Sequence, residues 1–182
     1  MVKLIANSPF SKLLPKTIGT VTLTDIDSGK MTLVAPFKGQ QKLVSDALKS
    51  TLGVEFPAPN RTLGKMPRSV WFGRGLALII GADCPDLDGA ACFDHSDAWA
   101  IVRLDGTDTS AILARLTPID LRESTFKCGH TARTLIGHMT GCITRLGVQS
   151  FEVMVMRSMA ATLVHELTQV AKNIAARPVI SA

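Results

Sequence analysis

Apolar residues in this chain follow a strand period, then a helix period, then a strand period again, and that succession constrains the fold more than any single motif. Residues 18–24 alternate as a strand does, with Ile18, Thr20, Thr22 and Thr24 on one side and Gly19, Val21 and Leu23 on the other. Asp27-Ser28-Gly29 signals a turn, and residues 31–37 read as a second strand. Residues 40–52 switch to helical spacing, which places Leu43, Val44, Ala47, Leu48 and Leu52 on one face; Gly53 supplies a C-terminal stop. Residues 55–68 hold three prolines and one glycine without a period, and are expected to be a loop. Residues 69–73 and 76–81 are short apolar runs joined by Arg74-Gly75, the pattern of a hairpin. Residues 82–89 are rich in turn formers and mark the expected boundary between two halves.

Residues 98–104 read as a strand with Ala98, Ala100, Val102 and Leu104 on one face, and Asp105-Gly106 turns the chain. Thr107 or Asp108 is expected to cap a helix running to about Leu116, because a short oxygen-bearing side chain satisfies the free donors of the first turn. Pro118 ends it. Residues 135–139, 142–146 and 151–156 read as three strands, with turns at Thr140-Gly141 and Gly147. Ser158 is the expected cap of a last helix over about 159–176, whose apolar stripe is Ala160, Leu163, Val164, Leu167, Val170, Ala171 and Ile174.

The order is ββαββ followed by βαβββα. Phe37-Lys38-Gly39 before the first helix parallels Leu104-Asp105-Gly106 before the second, which predicts an internal pseudo-repeat. The fold class is α+β, with two pseudo-repeated halves (about 17–89 and 90–176) of mostly antiparallel sheet and helices packed on the sheets. Residues 1–16 form an N-terminal arm. Its Leu4, Ile5, Phe10, Leu13 and Leu14 follow no period, and Pro9 and Pro15 forbid a continuous helix. The arm packs on its own domain or lies in a groove of a partner. Residues 177–182 are a C-terminal tail.

Composition bears on partners. Apolar residues are 46% and charged residues 19%, below the roughly 25% usual for soluble domains, and mean hydropathy is +0.25. Such a chain has either an unusually apolar core or apolar surface that another chain covers. The net charge of +5 is scattered, aromatics are 5% and Tyr is absent, so neither a nucleic-acid footprint nor a base-stacking platform is expected. No run of 18 apolar residues predicts a membrane span, and the N-terminus lacks the apolar region of a signal peptide. Cys84, Cys92, Cys128 and Cys142 lack CxxC spacing and are expected to be reduced thiols in a cytoplasmic protein.

The residues nominate no catalytic, cofactor-binding or metal-binding set. Cys92-x-x-His95, Cys128-x-His130 and His138-x-x-x-Cys142 are short pairs on different elements, without the spacing of a tetrahedral metal site. Cys128 and His130 could touch across a turn beside Lys127, but no third group orients them. Gly73-Arg74-Gly75 lacks the rest of a dinucleotide fingerprint. Asp83, Asp86, Asp88, Asp94, Asp97 and Asp105 concentrate in turns, where solvated carboxylates and caps are the ordinary reading. Arg103, Arg133, Arg145 and Arg157 make a cationic stripe if they share a face, and ordinary exposed strand arginines if they do not. His165 falls on the polar side of the last helix.

Several segments resemble the gamma subunit family of heterotetrameric sarcosine oxidase. They are Ser96-Asp97-Ala98-Trp99-Ala100 with Arg103-Leu104, Leu113-x-Arg115-Leu116, Pro118-Ile119-Asp120-Leu121-Arg122, Gly129-His130-x-x-Arg133-Thr134-x-x-Gly137-His138-Met139, and Phe151-Glu152-Val153 followed by residues 157–167 (RSMAATLVHEL). In the first half Ala35-Pro36-Phe37-Lys38-Gly39 and Phe56-Pro57-Ala58-Pro59-Asn60 do the same, so the resemblance spans about residues 17–176. More distantly, the stretch from Val102 to Leu113 resembles the folate-binding domain of aminomethyltransferases, a pair of α+β halves. The resemblance implies an assembly subunit without a catalytic centre, partnered by alpha, beta and delta subunits. The complex it implies oxidatively demethylates sarcosine to glycine, with hydrogen peroxide and 5,10-methylenetetrahydrofolate as further products. FAD, FMN, NAD and tetrahydrofolate are then expected in the large subunits and zinc in the delta subunit. The alternative is a stand-alone folate-binding protein of the aminomethyltransferase type; no residue here is assigned to pterin recognition.

Overall fold

A computed structural model describes residues 7–177. Strands β1 (Lys16–Ile18), β2 (Val21–Ile26) and β3 (Met31–Pro36) precede helix α1 (Gln41–Leu52). Strands β4 (Thr62–Gly64), β5 (Arg68–Gly73), β6 (Leu76–Ile80), β7 (Ala90–Asp94) and β8 (Trp99–Gly106) precede α2 (Thr109–Leu113). Strands β9 (Thr131–Ile136), β10 (Met139–Gly147) and β11 (Ser150–Met156) lead through a 3-10 turn (Arg157–Met159) into α3 (Ala160–Ala175). They form a six-stranded sheet of order β1-β2-β8-β11-β10-β9 and a five-stranded sheet of order β4-β5-β6-β3-β7, antiparallel at every pairing.

The α+β class and the antiparallel sheets are as the periodicity implies. Alternate residues of each strand point to opposite faces, and the buried residues fall into three cores accordingly. Ala100, Val102 and Leu104 of β8 pack with Leu163, Val164 and Leu167 of α3. Trp99 and Ile101, on the other face of β8, meet Val70, Phe72, Leu78 and Ile80 of the five-stranded sheet. Val34, Ala77 and Ile79 on the far face of that sheet pack on Val44 and Leu48 of α1. The layers therefore run helices, sheet, sheet, helix. Central strand β6 is buried on both faces, which explains its unbroken apolar sequence Leu-Ala-Leu-Ile-Ile.

The pseudo-repeat is legible in the register. Thr62, Val70, Leu78 and Leu33 form one row across β4, β5, β6 and β3. Thr131, Thr144, Glu152 and Arg103 form the matching row across β9, β10, β11 and β8. Both central hairpins carry a register shift at the same place, between Trp71 and Gly73 and between Arg145 and Gly147. The starts of β4 and β9 meet in a reciprocal pair of bonds, Thr62 N–H to Gly129 O at 2.9 Å and Thr131 N–H to Asn60 O at 3.0 Å. Leu33 thus corresponds to Arg103 and Phe37 to Thr107, so the Phe37 and Leu104 tripeptides compared above are not equivalents. Each half also lends a strand: β2 precedes β3 but pairs with β8, and β7 precedes β8 but pairs with β3.

Other elements depart from the sequence reading for local reasons. Residues 18–24 are not one strand; Gly19, at φ 57°, takes the left-handed turn that folds β1 onto β2. The expected loop 55–68 contains β4. The hairpin before β10 turns at Gly137-His138 rather than Thr140-Gly141. Gly141 lies inside β10, where a Cβ would come within 2.5 Å of Ile136 Cδ1 and 2.6 Å of Met154 O, so the glycine serves close packing rather than a turn. Asp108 holds the N-cap position of the five-residue α2, but its carboxylate accepts the Thr20 hydroxyl at 2.7 Å instead of capping. Ser158 does not cap α3 either, since the 3-10 turn intervenes and Met159 stands at the N-cap. Gly53 does end α1 in the left-handed conformation, its N–H donating to Lys49 O. Leu43 of the predicted α1 face is half exposed. In the arm, Phe10 is buried in the helix-side core, while Leu4 and Ile5 lie outside the described residues, as does the tail beyond Arg177.

Candidate functional site

The space between the sheets is apolar at one end and charged at the other. Along β8 the inward side chains run Trp99, Ile101, then Arg103; along β11 they run Met154, then Glu152; along β10 they run Cys142, then Thr144. Trp99 meets Phe72 edge-on at 5.0 Å and the Arg133 guanidinium lies 4.1 Å over the Phe72 ring, which closes the apolar end. One step further, Arg68 of β5 donates through Nη2 to Glu152 Oε2 and joins the sheets by an ion pair whose side chains are 7% and 9% exposed. Beside it the Thr131 and Thr144 hydroxyls bond at 2.9 Å and Thr131 Oγ1 sits 3.1 Å from Cys142 Sγ. Burial pushes the Cys142 thiol up from its ordinary range.

A cleft of about 670 Å³ opens beyond the ion pair, with Lys65, Arg68, Arg103 and Glu152 on its polar walls and Ile26 and Met66 on its apolar ones. Arg103 faces Glu152 across the strands but turns to Asp105, with Nε 2.9 Å from Oδ2. Arg68 Nε is buried without a hydrogen-bond partner. Glu152 is held by a guanidinium and is therefore a lock between layers rather than a free base. The wall groups can attract anions, but nucleophile, base and orienting group do not converge on one point.

The nominated pairs separate. Cys128 Sγ donates to Leu146 O at 2.7 Å, while His130 packs edge-on against Phe126 at 5.8 Å. Burial, with Arg61 and Lys127 nearby, holds the His130 imidazole below its ordinary pKa. His95 Nδ1 accepts the Trp99 indole N–H at 3.1 Å. Among the described residues, no three His, Cys, Asp or Glu side chains gather as for a metal. Asp94 accepts both Ser96 N–H and Ser96 Oγ–H, which hold its carboxyl below the usual range, and Asp97 is fully exposed. The four arginines do not form a stripe. Arg103 lines the cleft, Arg133 stacks on rings, and Arg157 Nη2 donates to Asn7 O at 2.7 Å. Arg145 lies on the opposite sheet face, 4.3 Å over the Phe151 ring, with its guanidinium donating to Leu121 O and Val148 O. His165 is exposed on α3. Arg68 and Glu152 were not nominated by the sequence. A single carboxylate inside the apolar run of β11 is the signal that points to Glu152; nothing local points to a partner 84 residues away.

The chain is thus a two-sheet α+β protein built from strand-exchanged halves. No family model matches it, and no curated protein matches it by sequence. Among solved structures, it shares its fold with a chain of the heterotetrameric sarcosine oxidase from Corynebacterium sp. U-96, solved in complex with pyrrole 2-carboxylate. The alignment has a TM-score of 0.82 at 20% identity and covers 96% of this chain and 98% of that one. An aspartate kinase from Clostridium acetobutylicum aligns at 12% identity over 85% of this chain and 35% of its own, with a TM-score of 0.37, too low for a shared fold. No helix among the described residues is long and apolar enough to cross a membrane.

Proposed function

We propose that this chain is the gamma subunit of a heterotetrameric sarcosine oxidase, acting as an assembly part beside alpha, beta and delta subunits in the cytoplasm. The observation that carries this reading is the end-to-end match in fold to one chain of such a complex. The family segments around residues 96–104, 129–139 and 151–167 support it from the sequence side. Exposed Phe37, Phe93, Leu135, Val148 and Met156 supply apolar surface that a neighbour would cover. The buried Arg68–Glu152 pair, tying the sheets into one body, suits a rigid spacer. FAD, FMN, NAD and tetrahydrofolate belong to the large subunits in this reading, and zinc to the delta subunit. Co-expression with the large flavoprotein subunits tests it. Binding to the folded state raises the thermal midpoint by mass action, so a higher midpoint and co-purification are expected; an unchanged midpoint without co-purification overturns the proposal.

A further inference from the structure

Strand β7 ends the five-stranded sheet, and its ladder with β3 fixes which backbone groups it spends. Phe37 N–H donates to Gly89 O and His95 N–H to Met31 O, each at 2.8 Å. Bonded pairs alternate along an antiparallel ladder, so Ala91 and Phe93 bond β3 while the N–H and C=O groups of Cys92 and Asp94 point outward. Among the described residues no strand takes them up.

The pseudo-repeat supplies a template for what lies there. β7 corresponds to β2, since each is the strand that one half lends to the other. Matching Leu33–Phe93 to Arg103–Thr24 makes Ala90, Ala91 and Cys92 the counterparts of Val21, Thr22 and Leu23. Those three residues of β2 pair antiparallel with Ile18, Thr17 and Lys16 of β1. The place that β1 fills beside β2 is open beside β7.

The open edge is also apolar. β7 reads Ala-Ala-Cys-Phe-Asp, without the Lys or Pro that protects edge strands, and Phe93 is 53% exposed. Phe37, 58% exposed, is tied to the strand's start through Gly89 O, and Leu43, 50% exposed, lies against Gly89, so exposed apolar side chains flank the start of the edge. The outer edge of β1, by contrast, is short and carries Lys16.

We infer that the outer edge of β7 receives an antiparallel β-strand from a larger subunit of the assembly, apolar where it meets Phe93. This rests on the proposed function for the identity of the partner. The test uses the full chain co-expressed with the large subunits. Cys92→Pro removes an outward N–H without touching the β3 ladder, a position where strands accept proline. Phe93→Lys places a charge on the exposed edge and serves as a second variant should the first fold poorly. Expected are slowed hydrogen exchange over residues 90–95 in the complex, an unchanged thermal midpoint of the free variants, and partner affinity weakened about tenfold (about 1.4 kcal/mol). Wild-type co-purification with unprotected 90–95 amides and undiminished binding by both variants overturns the edge assignment alone. Failure of the wild type to co-purify overturns the assembly reading, and the occupant with it. Protection of 90–95 in the isolated chain that grows with its concentration makes the occupant a second copy and overturns the partner strand.

Discussion

Glu152→Ala probes the contact that joins the two sheets. It removes the carboxylate from Arg68, whose guanidinium stays buried with Nε already unpartnered, and leaves Lys65 and Arg103 facing it across the cleft. Removing one member of a buried pair costs about 3–5 kcal/mol, because the other charge is left uncompensated. Replacing both with apolar residues of similar bulk, Arg68→Met with Glu152→Leu, is expected to cost much less than the sum of the two single changes, a coupling of at least about 2 kcal/mol. Urea unfolding of the wild type, Glu152→Ala, Arg68→Met, Glu152→Leu and the double variant measures this, with the slope m unchanged so that midpoints report stability. A loss below about 1 kcal/mol in Glu152→Ala, or double-mutant costs that simply add, would mean that this pair does not lock the layers.

Two further outcomes follow from local geometry. Gly106 ends β8 at φ 142°, and a Cβ there would lie 1.9 Å from Thr20 O, so Gly106→Ala must push β2 off β8. Strained backbone of this kind costs about 1–3 kcal/mol before the collision is counted; a thermal midpoint equal to wild type contradicts it. Burial, with Cys92 beside it, pushes the Cys84 thiol up to about 12, and burial raises Cys142 as well, whereas Cys128 lies exposed. Only the thiolate attacks, and a raised pKa keeps a thiol protonated until higher pH. Iodoacetamide at pH 8 therefore labels Cys128 first, while Cys84 waits for pH near 12 and the buried Cys142 for higher pH or unfolding. Mass mapping that finds all four labelled at one rate contradicts this.

Local periodicity carried most of the secondary structure. The stripe of Ala160, Leu163, Val164, Leu167, Ala171 and Ile174 is the buried face of α3, with Val170 half-buried beside it. The hairpin at Arg74-Gly75 and the Gly53 stop are equally local and equally legible. What stayed hidden depends on distant partners. Residues 18–24 alternate without a break in sequence, and only the closure of β1 on β2 at Gly19 shows the turn. Leu43 belongs to the helical stripe, yet α1 buries only Val44 and Leu48, because the sheet beneath it ends at the β7 edge. Strand exchange leaves no periodic trace, since β2 and β7 would look the same if paired within their own halves. The site is the extreme case: Glu152 stands out in β11, but its dependence on Arg68 is a property of the folded layers.

An assembly role requires this chain to be a stoichiometric part of a larger oxidase. Native mass spectrometry of the assembly purified after co-expression with alpha, beta and delta subunits measures that directly. One copy of this 19.5 kDa chain in each heterotetramer is the predicted result. A free chain beside an intact, active complex of the other three would contradict it.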